Sequence, residues 1–293
     1  MAEIIEQSRI PQRILPDGRK VPAIGLGTFG SDKYNSAQIA EAVCGGIKAG
    51  YRMIDCASVY QNEDKIGESI ERVLKEGIVD RADLFITSKV WNDMHGEGKV
   101  AEACAKSLRD LRLSYLDLYL VHWPFPNYHA PGCDGDSRNP DSRPFSVGEF
   151  MNTWRQCEKL VEEGRVKYIG MSNMTVPKLK AVLPLCRIQP TFLEMELHPG
   201  FQQPELYDYV AAHGIQPIGY CPIGSPSRPE RDRTAEDIAD TQMPEIVEIA
   251  ERHHVHPAMI CLKWAAQRGQ IPIPFSVKEY QYVACLLYTS PSP

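Results

Sequence analysis

The chain has 293 residues, of which 43% are hydrophobic and 24% are charged, and its formal net charge is −6. This length fits one large domain or two small ones, and the negative charge offers no basic surface to a polyanion, so we expect no nucleic-acid partner. No apolar run approaches the roughly 20 residues that cross a bilayer, and residues 1–8 lack a secretory pattern. The lack of an apolar span predicts no membrane partner. Because the nine cysteines form no Cys-x-x-Cys pair, we predict a reducing, cytoplasmic location.

Short β-rich runs alternate with longer amphipathic stretches along the whole chain. Several of these runs are almost unbroken apolar sequences, which is typical of parallel strands covered on both faces. The predicted strands are 23–26, 53–56, 84–89, 116–122, 167–172, 192–197, 216–221 and 271–276. The predicted helices are 36–49, 63–75, 98–113, 147–163, 177–186, 203–213 and 257–267, with an extra helix at 244–253. This alternation predicts an α/β fold, a (β/α)8 TIM barrel.

Three segments lie outside this alternation. Residues 13–21 contain a Pro-Asp-Gly turn between apolar residues, which predicts an amino-terminal β-hairpin that caps the bottom of the barrel. The segments 124–146 and 224–241 follow strands four and seven and are rich in proline and charged residues. Loops after the strands of such a barrel lie on its catalytic face, so both segments are candidate lids.

The carboxyl end departs from the pattern. Only residues 277–284 separate strand eight from 285–293, and those last nine residues resemble a translated sequencing adapter. We therefore predict a single truncated domain at 1–284, a non-native tail at 285–293, and an eighth helix that is incomplete or missing. The alternative is a natural polar tail.

The glycine pattern at residues 25–30 has the form G-x-G-x-x-G directly after a strand. A dinucleotide-binding Rossmann fold remains the alternative interpretation, but in that fold the third glycine belongs to the opening helix. Here residues 31–35 intervene, and the predicted helix cap is Asn35 or Ser36.

Polar residues lie at the carboxyl ends of three predicted buried strands: Asp55, Lys89 and His122, with Tyr60 one turn after Asp55. Charges at buried strand ends are costly unless they are paired, so these groups are predicted to meet. An ammonium beside a phenol favours the phenolate and lowers its pKa, while a carboxylate holds the ammonium. A neutral imidazole could orient a carbonyl oxygen. The set predicts a proton donor that acts on a carbonyl.

Four segments, 50–63, 86–91, 116–124 and 169–173, resemble in order and spacing the signature segments of the aldo-keto reductases. The resemblance covers most of the chain. It implies Asp55, Tyr60, Lys89 and His122 as catalytic residues, a nicotinamide cofactor extended across the barrel mouth, and no metal. Accordingly, we interpret His253, His254 and His256 as residues of a helix end and not as metal ligands.

The same resemblance assigns residues to the cofactor. Ser172 and Asn173 would hold the carboxamide beside Glu194, and Tyr220 would stack on the nicotinamide ring. The remaining predicted cofactor contacts are Gly27, Thr28, Phe29, Asp55, Cys221, Ile223, Gly224, Ser225, Phe275, Ser276, Val277 and Lys278.

This sequence departs from the family pattern at three of the cofactor positions. Glu194 replaces the usual glutamine and cannot donate a hydrogen bond unless it is protonated. Phe275 and Gln281 stand where the family has a lysine and an arginine for the 2′-phosphate, so Lys278 is the nearby cation. We therefore predict use of NADPH with unusual tolerance of NADH.

The predicted reaction is reduction of an aldehyde or an open-chain sugar to the alcohol. The predicted substrate pocket comprises Phe29, Val59, Trp91, His122 and Trp123. The loop 129–138 loosely resembles those of aldose and xylose reductases, which favours a polar substrate. The alternative is a nicotinamide-nucleotide-binding redox sensor with little turnover. We expect a monomer or a weak dimer.

Overall fold

The computed structural model describes residues 10–30, 33–124, 144–224 and 239–289. Its strands are β1 (Gln12–Ile14), β2 (Lys20–Pro22), β3 (Leu26–Gly27), β4 (Met53–Asp55), β5 (Phe85–Val90), β6 (Leu116–Val121), β7 (Val166–Ser172), β8 (Phe192–Glu196), β9 (Gln216–Tyr220) and β10 (Ile271–Pro272). Strands β3 to β10 form one eight-stranded sheet in chain order. Backbone hydrogen bonds from Gly25 N to Pro272 O (3.0 Å) and from Gly27 N to Pro274 O (2.9 Å) join its two ends. The sheet is closed, and the predicted (β/α)8 barrel is confirmed.

Helices follow the barrel strands and cover their outer face. They are α1 (Ser36–Ala49), α2 (Glu63–Lys75), α3 (Lys99–Asp110), α4 (Val147–Glu162), α5 (Val176–Val182), α6 (Pro204–Ala212), α7 (Pro244–Arg252), α8 (Pro257–Arg268) and α9 (Glu279–Thr289). Helix α7 is the predicted extra helix. The first helix begins at its predicted cap, because Asn35 Oδ1 accepts from Gln38 N (3.0 Å) and Gln38 Oε1 accepts from Asn35 N (3.1 Å). These reciprocal bonds satisfy amide groups that a helix start leaves unpaired.

The barrel interior is a separate apolar layer, enclosed by the strands and distinct from the layer between strands and helices. Its buried members include Met53, Phe85 and Phe192. Leu15 and Val21 of the amino-terminal hairpin belong to the same cluster, so the hairpin closes the lower end of the barrel with apolar side chains. The predicted hairpin cap is confirmed.

Helix α9 has eleven residues, and it packs against the barrel. Leu286 is fully buried and Tyr282 nearly so, and the Tyr51 hydroxyl donates to Tyr282 O at 3.0 Å. An eighth helix is therefore present, so the alternative that it is missing is wrong, and the alternative that it is incomplete stays a prediction. The helix continues without a break from residue 284 to Thr289, where it ends. Whether the segment 285–293 is native stays a prediction.

Two glycines of the G-x-G-x-x-G pattern have packing roles in this barrel. A Cβ on Gly27 would lie 3.0 Å from Ile273 O, and one on Gly30 would lie 2.5 Å from the Phe275 ring. Both glycines permit close approach between the first and last barrel units. The Rossmann alternative is wrong, since the sheet is a closed parallel barrel.

Two sequence predictions fall mostly outside the part of the chain that the structure describes. The candidate lids at 124–146 and 224–241 include the undescribed residues 125–143 and 225–238, among them Ser225 and the loop 129–138.

Among the described helices, none has the length and apolarity that a bilayer span requires. His256 caps α8, where its Nδ1 accepts from Ala258 N at 3.1 Å.

Candidate active site

A buried ion pair lies at the carboxyl-terminal end of the barrel strands. Strand β4 ends at Asp55, and Lys89 is the next-to-last residue of its neighbour β5. The Lys89 side chain is fully buried, and its Nζ lies 2.6 Å from Asp55 Oδ2 and 3.3 Å from Cys56 O. The predicted meeting of Asp55 and Lys89 is therefore observed. A buried ammonium needs such partners because its hydration has been lost.

Tyr60 reaches the same ammonium from a 3₁₀ turn directly after β4. Its hydroxyl lies 3.3 Å from Lys89 Nζ. The turn, Ser58–Tyr60, is fastened to β5 because Ser58 Oγ donates to Lys89 O at 3.1 Å. The Tyr60 ring lies 5.0 Å from that of Phe29, measured between centroids. Backbone and ring contacts thus hold the phenol at the barrel mouth.

Burial dominates the protonation of this phenol. It raises the pKa of Tyr60 above the usual value for a tyrosine. The Lys89 ammonium lowers this pKa and offsets part of the increase, whereas the carboxylates of Asp55 and Glu194 raise it further. The expectation of a net lowered pKa is wrong for this arrangement, because desolvation of the phenolate outweighs the ammonium. Tyr60 therefore carries its proton at neutral pH.

His122 follows β6 and completes the predicted group of four. Its ring lies 5.9 Å from that of Tyr60 and 4.9 Å from that of Trp91, both in edge-on orientation. Burial, and then the charge of Lys89, lower the pKa of His122 well below its usual value. The imidazole is neutral at physiological pH, as the sequence predicted.

Glu194, which the sequence placed beside the carboxamide site, is a further member of this group, and its contact with Lys89 was not anticipated. Its Oε1 lies 3.2 Å from Lys89 Nζ, so the ammonium contacts two carboxyl groups. Burial, and then the neighbouring Asp55, raise the pKa of Glu194 to about 8. For Lys89, burial lowers the pKa, but the two carboxyl groups outweigh it and the net pKa is raised.

Ser172, Asn173 and Tyr220 form a hydrogen-bonded row beside the four residues. Tyr220 OH donates to Asn173 Oδ1 at 2.7 Å, and Asn173 Nδ2 donates to His122 O at 2.9 Å and to Ser172 Oγ at 3.1 Å. Asn173 and Cys221 both have left-handed backbone conformations, with φ of 57° and 50°. Such conformations are uncommon outside glycine and often occur at functional sites.

The predicted cofactor contacts from the first barrel unit differ in exposure. Thr28 is fully buried, and its hydroxyl donates to Asp55 O at 2.8 Å, whereas the Phe29 side chain is 45% exposed. The sequence interpretation overlooked Asn62, which is buried and whose Nδ2 donates to Thr28 O at 2.9 Å. The signal was present, since Asn62 belongs to the segment 50–63 that carries the family resemblance. The hydrogen bonds of Thr28 and Asn62 thus join the first barrel unit to the second, which carries Asp55 and Tyr60.

The predicted contacts with the distal part of the cofactor lie around strand β10 and the start of α9. The Phe275 ring lies 5.9 Å from that of Tyr34, so this residue is an apolar contact. Ser276 Oγ accepts from Lys278 N at 3.0 Å, and Lys278 is exposed. Val277 is half-buried beside them.

The remaining predicted residues lie nearer the opening. Gly224 is buried, with a φ of 67°, and Ile223 is half-buried. Of the predicted substrate pocket, Trp91 is buried against His122, while Val59 and Trp123 are half-buried. Among the described residues, no cluster of three or more histidine, cysteine, aspartate or glutamate side chains could hold a metal ion.

Fold and site together define a class of barrel enzyme with a tyrosine, lysine and aspartate at the carboxyl-terminal face. The sequence profile of the Aldo/keto reductase family matches residues 23–289. The chain belongs to this family and is an oxidoreductase.

Individual relatives agree with this assignment. Aldo-keto reductase family 1 member A1 of Xenopus tropicalis is 40% identical over 262 residues, which are 89% of this chain and 78% of that protein. The NADPH-dependent D-xylose reductase of Candida boidinii is 38% identical, covering 92% of this chain and 85% of its own. The solved aldose reductase of Schistosoma japonicum superposes with a TM-score of 0.82 at 35% identity, over 95% of this chain and 87% of that one.

Proposed function

We propose that this protein reduces an aldehyde or an open-chain aldose to the alcohol, with NADPH as hydride donor, NADH tolerated, and Tyr60 as proton donor. The observation that carries the proposal is the 3.3 Å separation of the Tyr60 hydroxyl from the Lys89 ammonium, beside the ring of His122. The xylose reductase relative is NADPH-dependent by name, which supports the cofactor. The cytoplasmic location and the monomeric or weakly dimeric state remain predictions.

The residues of the site divide the work on a carbonyl. His122 is neutral, so it can donate one hydrogen bond to the substrate oxygen and direct that oxygen toward Tyr60. A nicotinamide bound there would supply the hydride to the carbonyl carbon. Tyr60 then gives its proton to the oxygen, and Lys89 stabilises the phenolate left behind, which makes the proton transfer easier. Asp55 holds Lys89 in place.

The row at the barrel mouth fits a nicotinamide nucleotide. The Tyr220 ring provides an apolar face for the pyridine ring, and Ser172 and Asn173 provide the hydroxyl and amide that a carboxamide needs. Lys278 and the amino-terminal end of α9 suit a phosphate, because helix starts carry partial positive charge. We assign the other predicted cofactor contacts to the same molecule.

The substrate would meet an aromatic opening. Phe29 is half-exposed beside Tyr60, and Trp91 packs on His122. Together with Val59 and Trp123 they form the proposed pocket wall. The predicted preference for a polar aldehyde depends on residues 129–138 and on the names of the relatives.

A panel of small aldehydes and aldoses, assayed by NADPH oxidation with the purified chain, tests the proposal. We expect carbonyl-dependent oxidation and formation of the alcohol by at least one member of the panel. Nucleotide binding without turnover of any carbonyl would contradict the reductase function and favour the redox-sensor alternative. Nucleotide binding is measured in the same samples by quenching of protein fluorescence.

A further inference from the structure

Two carboxyl groups share one ammonium at the centre of the site. Lys89 Nζ lies 2.6 Å from Asp55 Oδ2 and 3.2 Å from Glu194 Oε1. The Lys89 side chain is fully buried, and those of Asp55 and Glu194 are 4% and 3% exposed. One positive charge therefore faces two potential negative charges in a place with little water, where an unbalanced charge is costly.

The second oxygen of each carboxyl group, which does not contact Lys89, also lacks a compensating partner. Asp55 Oδ1 and Glu194 Oε2 are both buried and receive no hydrogen bond. The two carboxyl groups also lie within hydrogen-bonding reach of each other. Two carboxylates can only repel at such a contact, whereas one added proton turns it into a hydrogen bond.

Among the described residues, the groups around this pair supply no other positive charge. Tyr60 and Tyr220 are phenols, Cys221 is a thiol, and His122 is neutral because its pKa is lowered. On the same strand as Glu194, the Glu196 carboxylate lies 3.4 Å from the His198 ring. That histidine contacts Glu196 and Asp240.

We propose that Asp55 and Glu194 share one proton over Lys89 at neutral pH, and that Glu194 is a positioning residue which sets the alkaline limit of proton donation by Tyr60. The second part rests on the proposed function; the shared proton does not. When the pair loses this proton, the site gains a negative charge close to Tyr60. The phenol then holds its own proton more tightly, so transfer to the substrate oxygen slows.

The direction of the pKa shifts supports this arrangement. Burial raises the pKa of both carboxyl groups, and that of Glu194 rises from 4.5 to about 8. An acid with a raised folded-state pKa keeps its proton longer in the folded protein than in the unfolded chain. Stability therefore falls as the pH rises from about 4.5 to about 8, and this fall is absent when the second carboxyl is absent.

Thermal unfolding without cofactor or substrate tests the shared proton. Wild type, Glu194→Gln and the exposed control Glu205→Gln are melted between pH 5 and pH 9. We expect the melting temperature of Glu194→Gln to gain on wild type by about 3 °C or more between pH 5 and pH 8 and then to stay level. Glu205→Gln should follow wild type, because its side chain lies at the surface. A Glu194→Gln difference that is constant with pH would overturn the shared proton.

The rate of carbonyl reduction against pH tests the positioning role. The reduction rate of wild type should decline above about pH 8, by up to about tenfold per pH unit. The rate of Glu194→Gln should stay constant to a pH at least about one unit higher. Superimposable profiles, or a change in cofactor affinity alone, would overturn the role of Glu194.

The two experiments separate this inference from the proposed function. If wild type reduces no carbonyl at any pH while the melting difference appears as expected, the reductase proposal fails and the shared proton stands. If wild type is an active reductase but the melting difference is flat, the reductase proposal stands and the shared proton fails.

Discussion

Lys89 is the residue on which the geometry of the site depends, since it contacts Asp55, Tyr60 and Glu194 with one nitrogen. Removing only the cation leaves two buried carboxyl groups without compensation. Breaking a buried ion pair from one side typically costs about 3–5 kcal/mol. The same substitution removes the group that stabilises the Tyr60 phenolate.

We therefore predict that Lys89→Met loses about 3–5 kcal/mol of unfolding free energy at pH 7 and at least about a hundredfold in reduction rate. Urea denaturation and NADPH oxidation measure the two effects. A triple variant that adds Asp55→Asn and Glu194→Gln should recover stability but not rate. Unchanged stability of Lys89→Met would show that the ion pair does not form.

His122 leads to a prediction about acidic pH. Its pKa is lowered well below the usual value by burial and by Lys89, so the imidazole does not become charged near pH 6.5. The reduction rate should show no step with a midpoint near 6.5, the usual histidine pKa. A pH series of initial rates at saturating cofactor checks this, and a step there that disappears in His122→Gln would contradict it.

At the scale of secondary structure, hydrophobic periodicity was enough to locate the eight barrel strands and the main helices. The bounds of α1 and α2 agree with the predicted 36–49 and 63–75. The predicted strand 271–276 is regular only at Ile271–Pro272, because Pro272 and Pro274 have no N–H to donate. Hydrophobic periodicity indicates which face of a strand is buried, but it does not take into account residues that lack a backbone N–H, such as proline.

The site was predictable to a similar degree, and for a related reason. Parallel strands end on one edge, so Asp55, Lys89 and His122 had to be near each other. The contact of Glu194 with Lys89 depends on the closing of the sheet into a ring, which brings β8 across from β5. Likewise, desolvation of Tyr60 could not be weighed before its burial was known.

Helix α9 gives a test at this scale. Leu286 is fully buried, whereas its neighbour Leu287 is 45% exposed. Leu286→Ala should lose about 2–5 kcal/mol of unfolding free energy, because a core leucine leaves a cavity, and Leu287→Ala should change it by less than about 0.5 kcal/mol. Chemical denaturation of both variants measures this. Equal effects would show that α9 is not packed against the barrel as described.

At the scale of the whole molecule, hydrogen bonds between Gly25 and Pro272 and between Gly27 and Pro274 close the ring. Closure brings Phe275 and α9 next to the first barrel unit, so the proposed distal cofactor region is built from the first and the last barrel units. In that region Phe275 packs on Tyr34, and Lys278 is exposed at the start of α9.

The apolar Phe275 and the exposed Lys278 in this region predict weak discrimination between NADPH and NADH. At matched concentrations, NADPH should be favoured over NADH by much less than a thousandfold, because the two cations expected for the 2′-phosphate are absent. Gln281→Arg should lower KM for NADPH severalfold and leave KM for NADH unchanged, with the exposed Tyr280→Arg as control. A thousandfold preference of wild type for either cofactor would contradict this.

The most direct test of the account is Tyr60→Phe, which removes one hydroxyl and keeps the ring that packs on Phe29. Carbonyl-dependent NADPH oxidation and cofactor affinity are measured on the same preparations of variant and wild type. We predict cofactor affinity within about twofold of wild type and a loss of reduction of at least about a hundredfold. Reduction at the wild-type rate by Tyr60→Phe would contradict the assignment of Tyr60 as the proton donor.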